Sequence, residues 1–243
     1  MQEGHVQPAH PDRAALFAAY ALDDRATPRV RMNFVMSLDG AVTLDGRSGG
    51  LGDENDQLVM GVLRTLADVV LVGAGTVRAE GYGGLRLRAA NVEWRREQGL
   101  ADQPRVAVVS AALDLDPGHP FFSEAVTRPI VVTHAAAPAG RRAALEAVAD
   151  VLVCGEASVD PRTMLASLAA AGLPQVLCEG GPHLFGALIE ADVVDELCLS
   201  LSPMLVAGSA GRISRTEVEV PRRMRLAHAI PVGDLLLLRY TRR

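Results

Sequence analysis

From Arg29 onwards, short apolar runs rich in β-branched residues alternate with longer segments rich in alanine and leucine. The short runs are typical of buried strands, and the longer segments carry apolar residues at helical spacing, such as Val62, Leu63 and Leu66. The pattern predicts strands at Val30–Met36, Asp68–Val72, Arg105–Val109, Pro129–Thr133, Asp150–Cys154, Gln175–Cys178, Glu196–Ser202, Arg225–Ile230 and Leu235–Tyr240. It predicts helices at Arg13–Leu22, Asp53–Ala67, Ala139–Val148, Asp160–Ala171 and Gly181–Glu190.

The order of these elements predicts an α/β fold with one large domain. Strand–helix alternation favours a mostly parallel sheet with helices on both faces. The turn sequence PVGD joins the last two strands and predicts an antiparallel hairpin at a sheet edge, which makes the sheet mixed. We interpret residues 1–27 as a tail with one short helix and residues 28–243 as the domain. The polar, glycine-containing stretch Gly81–Gln103 is interpreted as a long loop near the site.

Composition favours a cytoplasmic protein without a membrane or nucleic-acid partner. The 243 residues carry a formal charge of −5 and 4% aromatic residues, without the basic patches and stacking rings of nucleic-acid binders. The N-terminal segment is polar, and no apolar run approaches the roughly 20 residues that span a bilayer. We expect Cys154, Cys178 and Cys198 to be reduced and buried, and no CxxC or Cys/His spacing predicts a metal site. The chain contains no lysine, so anion binding falls to arginine, helix termini and backbone amides.

The segment VLCEGGPHLFGALIEA is the strongest local signal for chemistry. A buried strand ends in Glu179, two glycines follow, and a helix begins. Gly180 and Gly181 allow the backbone to approach a bulky anion, and the free amides of the helix start favour phosphate. The alternative interpretation of the same segment is an ordinary tight turn. A helix terminus contributes up to about 2 kcal/mol, whereas micromolar binding needs about 8 kcal/mol, so other loops must share in binding.

Two further strands also run into glycine-containing turns. VLVGAGTVRAE leads from a strand to Thr76, and MNFVMSLDG leads from a strand to Ser37, Asp39 and Gly40. Open α/β sheets bind ligands at the carboxyl ends of parallel strands, where these junctions lie. An ordinary Asp-Gly turn is the alternative for SLDG, and we interpret ENDQ, at the start of the helix near Asp53, as a solvated face. The three junctions together indicate a nucleotide-binding crevice without identifying the reaction.

The combination of MNFVMSLDG, RTLADVVLVGAGTVRAE, VVS at Val108–Ser110 and CEGGPHLFGALIEADVVDEL resembles the reductase domain of riboflavin biosynthesis. The resemblance extends over Arg29–Tyr240 and is greatest to stand-alone pyrimidine reductase-like proteins. It implies a three-layer fold like that of dihydrofolate reductase, an NADPH cofactor and a pyrimidine- or pteridine-like substrate ring. By analogy with the family, and because the C-terminal edge strands need covering, we also expect a homodimer.

The resemblance also implies which residues form the site. Cofactor contacts fall on Val35, Leu51, Thr76, Glu80, Ser110, Gly180, Gly181, Pro182, His183, Leu184, Phe185, Gly186 and Ala187. Substrate contacts fall on Ser48, Arg64, Leu85, Arg88 and Glu179. Bidentate bonds from Arg64 and Arg88 would hold a sugar phosphate or a carboxylate. Glu179 would accept hydrogen bonds from ring amino groups or relay a proton, and Asp39 is a second catalytic candidate, as an acid or a polarising group.

The chain departs from the family pattern in two ways. Residues 1–28 contain neither HxE nor PCxxC, so we expect no deaminase activity. Asn33 stands where riboflavin-pathway members usually have a lysine, which replaces a cation near the substrate by a neutral amide. Three hypotheses remain open: an NADPH-dependent reductase of an aminopyrimidine that bears a ribose phosphate, a dihydrofolate or pteridine reductase, and a dinucleotide-binding protein without catalysis. The sequence does not identify the residue that would bind the 2′-phosphate.

Overall fold

The computed structural model describes residues 12–243, and the first part of the predicted N-terminal tail lies outside them. The strands are β1 Arg29–Ser37, β2 Val69–Gly73, β3 Arg105–Val109, β4 Ile130–Thr133, β5 Asp150–Val153, β6 Gln175–Cys178, β7 Glu196–Ser202, β8 Met224–Val232 and β9 Leu235–Arg242. The helices are α1 Arg13–Tyr20, α2 Glu54–Leu66, α3 Ala74–Glu80, α4 Ala89–Glu97, α5 Pro120–Ser123, α6 Ala139–Glu146, α7 Pro161–Ala170 and α8 Pro182–Glu190. Each helix of the described chain is too short or too polar to traverse a bilayer.

All nine strands form one sheet in the order β5-β4-β3-β2-β6-β1-β7-β9-β8. The first seven along the chain pair in parallel, and β9 pairs antiparallel with both β7 and β8. The predicted mixed, mostly parallel sheet with a C-terminal hairpin is therefore confirmed. Because β1 lies between β6 and β7, and β2 adjoins β6, the carboxyl ends of these strands meet at one edge.

Apolar residues cover both faces of the sheet. Along β2, Val70 and Val72 belong to a cluster with α2, whereas Val69 and Leu71 belong to a second cluster with α7 and α8. This alternation is the two-residue period of a strand buried on both sides. Helix α1 joins the α2 cluster through buried Leu16, Phe17 and Tyr20. The N-terminal helix thus shares the core of the domain that follows it.

Predicted helix ends agree with the capping seen in the structure. The Asp160 carboxylate accepts a hydrogen bond from the Thr163 amide at 2.6 Å, and Pro161 occupies the first turn of α7. Gly172 follows with a φ of +78°, a left-handed conformation that favours glycine. Asp53 caps α2 in the same way, accepting from the amides of Asn55 and Asp56. The boundaries of α2 and α7 could therefore be predicted from the residues that cap them.

The interpretation of Gly81–Gln103 as a long loop is wrong, because α4 lies within it. The helix starts without a side-chain cap and is polar on average, so it lacks the usual signals. It is anchored by Arg95, which is 2% exposed and donates to the carbonyl oxygens of Thr65 and Ala67 at the C-terminal end of α2. A buried arginine thus anchors this helix in place of the apolar stripe that amphipathic helices usually carry. The short helices α3 and α5 were also not predicted.

Buried charges join the amino end of β7 to its neighbours. The Glu196 side chain is 1% exposed and accepts hydrogen bonds from Arg31 at 2.8 Å and from Arg239 at 2.9 and 3.0 Å. Burial raises the pKa of Glu196, but the positive charge of Arg31 and the hydrogen bond from Arg239 outweigh it and hold that pKa below its usual value. The guanidinium groups also donate to the carbonyl oxygens of Tyr20 and Ala19, which ties α1 to the sheet.

We expect Glu196→Gln to lower the free energy of unfolding by about 3–5 kcal/mol, because two guanidinium groups then stay buried without a counter-charge. Stability from a carboxylate with a lowered pKa is present above its unfolded pKa and lost as the pH falls through the folded one. Urea denaturation across pH should therefore show the variant and the wild type converging in acid. Asp102→Asn, at the exposed ion pair with Arg96, is the control and should change little. Equal effects of the two substitutions would contradict this account.

Candidate active site

A turn of two glycines leads from β6 into α8. Gly180 has a φ of +108°, and its carbonyl oxygen accepts a hydrogen bond from the Gly73 amide at 2.8 Å. A Cβ on Gly181 would lie 2.7 Å from the Thr76 hydroxyl oxygen. The turn is therefore packed against the start of α3 so closely that Gly181 leaves no room for a side chain. Pro182 then opens α8.

An open cleft of about 590 Å³ lies beside this turn, within the range usual for small-molecule sites. Its walls come from the β1–α2 loop, the β2–α3 junction, the segment after β3, the start of α7 and the start of α8. Several independent segments thus converge on one space, as binding of a large cofactor requires.

Most of the predicted cofactor contacts line this cleft. They are Thr76, Glu80, Ser110, Gly181, Pro182, His183, Leu184 and Ala187. Glu80 also accepts a hydrogen bond from the Ser48 amide at 2.9 Å, which holds the β1–α2 loop against α3.

The remaining predicted cofactor contacts lie outside the cleft lining. Phe185 is 3% exposed and stacks on Phe34 in the core, with ring centroids 5.1 Å apart. A Cβ on Gly186 would lie 1.9 Å from the Arg215 carbonyl oxygen, so this glycine serves close packing. These residues occupy the inner side of α8, because only one side of a helix can face the cleft. Gly180, Val35 on β1 and buried Leu51 also lie outside the lining.

Glu179 lies directly after β6, and its side chain is only 6% exposed. Arg64, in the last turn of α2, donates to both carboxylate oxygens at 2.7 Å. The Tyr82 hydroxyl also donates to this carboxylate and accepts from Arg64 at 3.0 Å. The two predicted substrate contacts Glu179 and Arg64 are therefore brought together, in the bidentate geometry that makes such pairs strong.

Burial and neighbouring charges shift the pKa values of two members of this cluster, Arg64 and Tyr82. Burial alone would lower the pKa of Arg64, but the charge of Glu179 and its hydrogen bonds raise it above the usual value. Burial and the negative charge of Glu179 raise the pKa of Tyr82 well above the ordinary value. Arg64 therefore stays cationic and Tyr82 keeps its proton at neutral pH. The cluster therefore contains a carboxylate whose orientation is fixed by a guanidinium and by a phenolic hydroxyl.

The other predicted substrate contacts are spread around this cluster. Leu85 is 7% exposed and packs in the α2 cluster, so its side chain serves the core. Arg88 is exposed at the start of α4, and Ser48 is half-buried in the loop held by Glu80. No contact in the described structure joins Arg88 to Arg64 or Glu179. The described structure therefore does not form the predicted clamp of two arginines, because Arg64 directs its bidentate bonds to Glu179 and Arg88 lies apart from it.

Asp39 joins the loops that follow β1 and β7. Its carboxylate accepts hydrogen bonds from the Ser37 hydroxyl and from the amides of Val206 and Ala207, the latter at 2.7 Å. These bonds, that of Ser37 foremost, lower the pKa of Asp39 to about 2. The group is therefore ionised at neutral pH and is not suited to donate a proton. A polarising role for Asp39 stays a prediction.

Sequence reasoning missed two polar groups of the site, Tyr82 and Asp56. Tyr82 lies in the stretch interpreted as a loop near the site, directly after Gly81, which ends α3 in a left-handed conformation. Asp56 belongs to ENDQ, interpreted as a solvated face, yet it is half-buried on the side of α2 that carries Arg64. Burial raises the pKa of Asp56. The negative charges of Asp53 and Glu179 raise this pKa further, whereas a hydrogen bond with Ser200 lowers it. The eight-residue spacing of Asp56 and Arg64 was the available signal.

A family model described as the RibD C-terminal domain matches residues 28–238. The chain belongs to this family. No cluster of His, Cys, Asp and Glu that could hold a metal occurs within residues 12–243. The expected fold like that of dihydrofolate reductase is confirmed, and the chain is an oxidoreductase for which a nicotinamide cofactor is implied.

Individual relatives agree with this family. A protein of Methanothermobacter thermautotrophicus named 2,5-diamino-6-ribosylamino-4(3H)-pyrimidinone 5′-phosphate reductase is 28% identical over 88% of this chain and 98% of its own length. A protein of the same name from Archaeoglobus fulgidus is 28% identical over 74% of this chain and 83% of its own. The crystal structure of a pyrimidine reductase-like protein from Corynebacterium diphtheriae superposes with a TM-score of 0.82 at 26% identity, covering 93% of this chain and 97% of that one.

We expect Asp56→Asn to stabilise the protein by about 0.5–2 kcal/mol at neutral pH, the size common for single stabilising substitutions. A carboxyl with a raised pKa destabilises the fold once the pH exceeds its unfolded pKa, whereas asparagine keeps an oxygen for the Ser200 hydrogen bond without the charge. Thermal unfolding should show a gain that fades in acid. Asp53→Asn, at the exposed helix cap, is the matched control. A variant less stable than the wild type at neutral pH would refute the expectation.

Proposed function

We propose that this chain is an NADPH-dependent reductase of an aminopyrimidine that carries a ribose phosphate. The observation that carries the proposal is the placement of Glu179, held by Arg64 and Tyr82, immediately before the Gly180–Gly181 turn of the cleft. An oriented acid and a set of backbone amides thus follow each other along one loop. The names of the archaeal relatives support the same substrate class.

The residues of the cleft fit a dinucleotide. Gly73 and Gly181 approach each other so closely that a Cβ on Gly73 would lie 3.3 Å from the Gly181 nitrogen, so no side chain stands between the two backbone segments at the turn. The start of α8 adds its dipole, and the Thr76 and Ser110 hydroxyls line the same space. When bound, the nicotinamide supplies the hydride. The protein then has to position the substrate and hold its protons.

The Glu179 cluster provides that positioning. Amino groups on a pyrimidinone ring are hydrogen-bond donors that a fixed carboxylate can accept. Arg64 fixes the plane of the Glu179 carboxylate by donating to both of its oxygens, while Tyr82 donates to one of them. Exposed Arg88 is available for the phosphate of the substrate. Asn33, on β1 beside Cys198 of β7, adds a neutral amide at the position where the family usually has a cation.

We further propose a homodimer in the cytoplasm. β8 is the last strand of the sheet and exposes Leu226 at its outer side, where a second copy would cover apolar surface. All three cysteines are free thiols, which suits a reducing compartment. Light scattering of the purified protein tests the oligomeric state directly.

The function is tested by following NADPH oxidation with a panel of substrates. The panel contains 2,5-diamino-6-ribosylamino-pyrimidinone 5′-phosphate, 5-amino-6-ribosylamino-uracil 5′-phosphate and dihydrofolate. Turnover of either aminopyrimidine supports the proposal. Turnover of dihydrofolate alone would replace it with a pteridine reductase, which neutral Asn33 favours. Tight NADPH binding without any turnover would instead identify a dinucleotide-binding protein.

We expect Glu179→Gln to reduce turnover at least about a hundredfold, the size of a lost positioned acid–base group, while the Kd for NADPH stays within a few-fold. The amide keeps the size of the side chain but loses the charge paired with Arg64. Glu190→Gln, exposed at the far end of α8, serves as the control in the same assays. An unchanged rate in Glu179→Gln would remove Glu179 from the mechanism.

We expect Gly181→Ala to weaken NADPH binding about tenfold, equivalent to the loss of one or two hydrogen bonds. The added Cβ would collide with the Thr76 hydroxyl at 2.7 Å and push the amides of the turn away from the cofactor. Gly140→Ala is the matched control, since a Cβ there has no neighbour within 4 Å. Fluorescence titration with NADPH gives both dissociation constants. Wild-type affinity in Gly181→Ala would contradict the assignment of this turn.

A further inference from the structure

One arginine stands in the wall of the cleft among otherwise neutral or acidic side chains. Arg78 lies on α3 between Thr76 and Glu80, and it is the sole guanidinium among the described residues that line this space. The charged groups nearest to it in the lining are the carboxylates of Glu80 and Asp114. Because the chain has no lysine, a strong cation for an anionic ligand in this cleft has to be Arg78.

The Arg78 side chain is held in place but keeps free donors. Its Nη1 donates to the Asp114 carbonyl oxygen at 2.9 Å, which directs the guanidinium from α3 across to the segment that follows β3. The side chain is 51% exposed, and Nε and Nη2 have no hydrogen-bond partner in the part of the chain that the structure describes. A planar guanidinium with donors on its open side is suited to bind phosphate bidentately.

Ser110 supplies a second donor in the same region. It follows β3, is 5% exposed, and its amide is fixed to the Val132 carbonyl oxygen at 3.0 Å. Ser110 and Asp114 belong to one short segment of the cleft wall, so the hydroxyl and the guanidinium line the same side. Arg78 and Ser110 belong to different segments of the cleft wall from the Gly181 turn, where the pyrophosphate is proposed to bind.

NADPH and NADH differ only by the 2′-phosphate on the adenosine ribose. Dinucleotide-binding α/β proteins meet the bare ribose with an acidic side chain and the 2′-phosphate with an arginine. We propose that Arg78, together with Ser110, binds the 2′-phosphate and makes this protein select NADPH over NADH. The inference rests on the proposed function, since it assumes that the cleft holds a nicotinamide dinucleotide.

Asp114 sets the strength of this selection. Its carboxylate lies 3.9 Å from Arg78 Nη1 and is 70% exposed, so in the free protein it partly neutralises the cation. An incoming phosphate competes with this carboxylate for the guanidinium. Removal of the Asp114 charge should therefore favour NADPH, opposite in sign to removal of the Arg78 charge.

The test measures dissociation constants for NADPH and NADH by fluorescence titration, and for 2′,5′-ADP and 5′-AMP by calorimetry. We expect Arg78→Gln to weaken NADPH and 2′,5′-ADP about 10- to 100-fold, as for a lost charge-assisted hydrogen bond, and to leave NADH and 5′-AMP unchanged. Asp114→Asn should tighten NADPH about two- to fivefold, as for a lost exposed ion pair. Arg78→Lys should retain part of the preference.

Arg141→Gln is the matched control, because Arg141 donates to the Ala112 carbonyl oxygen of the same segment at 3.0 Å but lies outside the cleft lining. It should leave the affinities for both dinucleotides at their wild-type values. Equal loss of NADPH and NADH in Arg78→Gln, or no loss of either, overturns the role of Arg78 while the reductase proposal stands. A wild-type protein that binds neither dinucleotide overturns both.

Discussion

The ion pair between Arg64 and Glu179 is the interaction on which the arrangement of the site depends. It joins the last turn of α2 to the end of β6, the strand that lies between β1 and β2 at the centre of the sheet. The Glu179 side chain is 6% exposed, and Arg64 donates hydrogen bonds to both of its carboxylate oxygens, so removal of either partner would leave a buried charge unpaired at a cost of several kcal/mol. The pair therefore fixes where the acid lies, and through the chain it also fixes the glycine turn that follows.

The turn at Glu179, Gly180 and Gly181, between β6 and α8, connects the two faces of the sheet. Glu179 continues the alternation of Leu177 and so faces α2, whereas Phe185 and Leu188 of α8 pack on the opposite face. The chain has to cross the sheet edge between them, and Gly180 makes this possible with a φ of +108°. The Glu179 cluster and the cleft beside the glycine turn thus lie close together at the sheet edge because the polypeptide itself changes face there.

The sequence was informative where a residue type has one structural meaning. Asp160, Pro161 and Gly172 marked a helix through capping, and alternating apolar runs marked every strand of the sheet. It was misleading where a polar residue is buried, because Arg95 anchors α4 through carbonyl oxygens that no pattern of letters reveals. The family resemblance named Glu179 and Arg64, which the structure brings together, but the orientation of α8 that turns Phe185 inward depends on packing against Phe34.

Two acids of this fold, the buried Glu196 and the half-buried Asp56, differ in how the fold affects their charge. Glu196 lies at the amino edge of the sheet between Arg31 and Arg239, and its lowered pKa means that the fold stabilises its charge. Asp56 lies on the α2 face with only the Ser200 hydroxyl in its favour, and its raised pKa means that the fold destabilises its charge. Destabilised groups persist where they serve a ligand rather than the fold. Asp56 also feels the charge of Glu179, the acid of the proposed site, so a functional role for the α2 face would account for a carboxyl whose charge the fold does not stabilise.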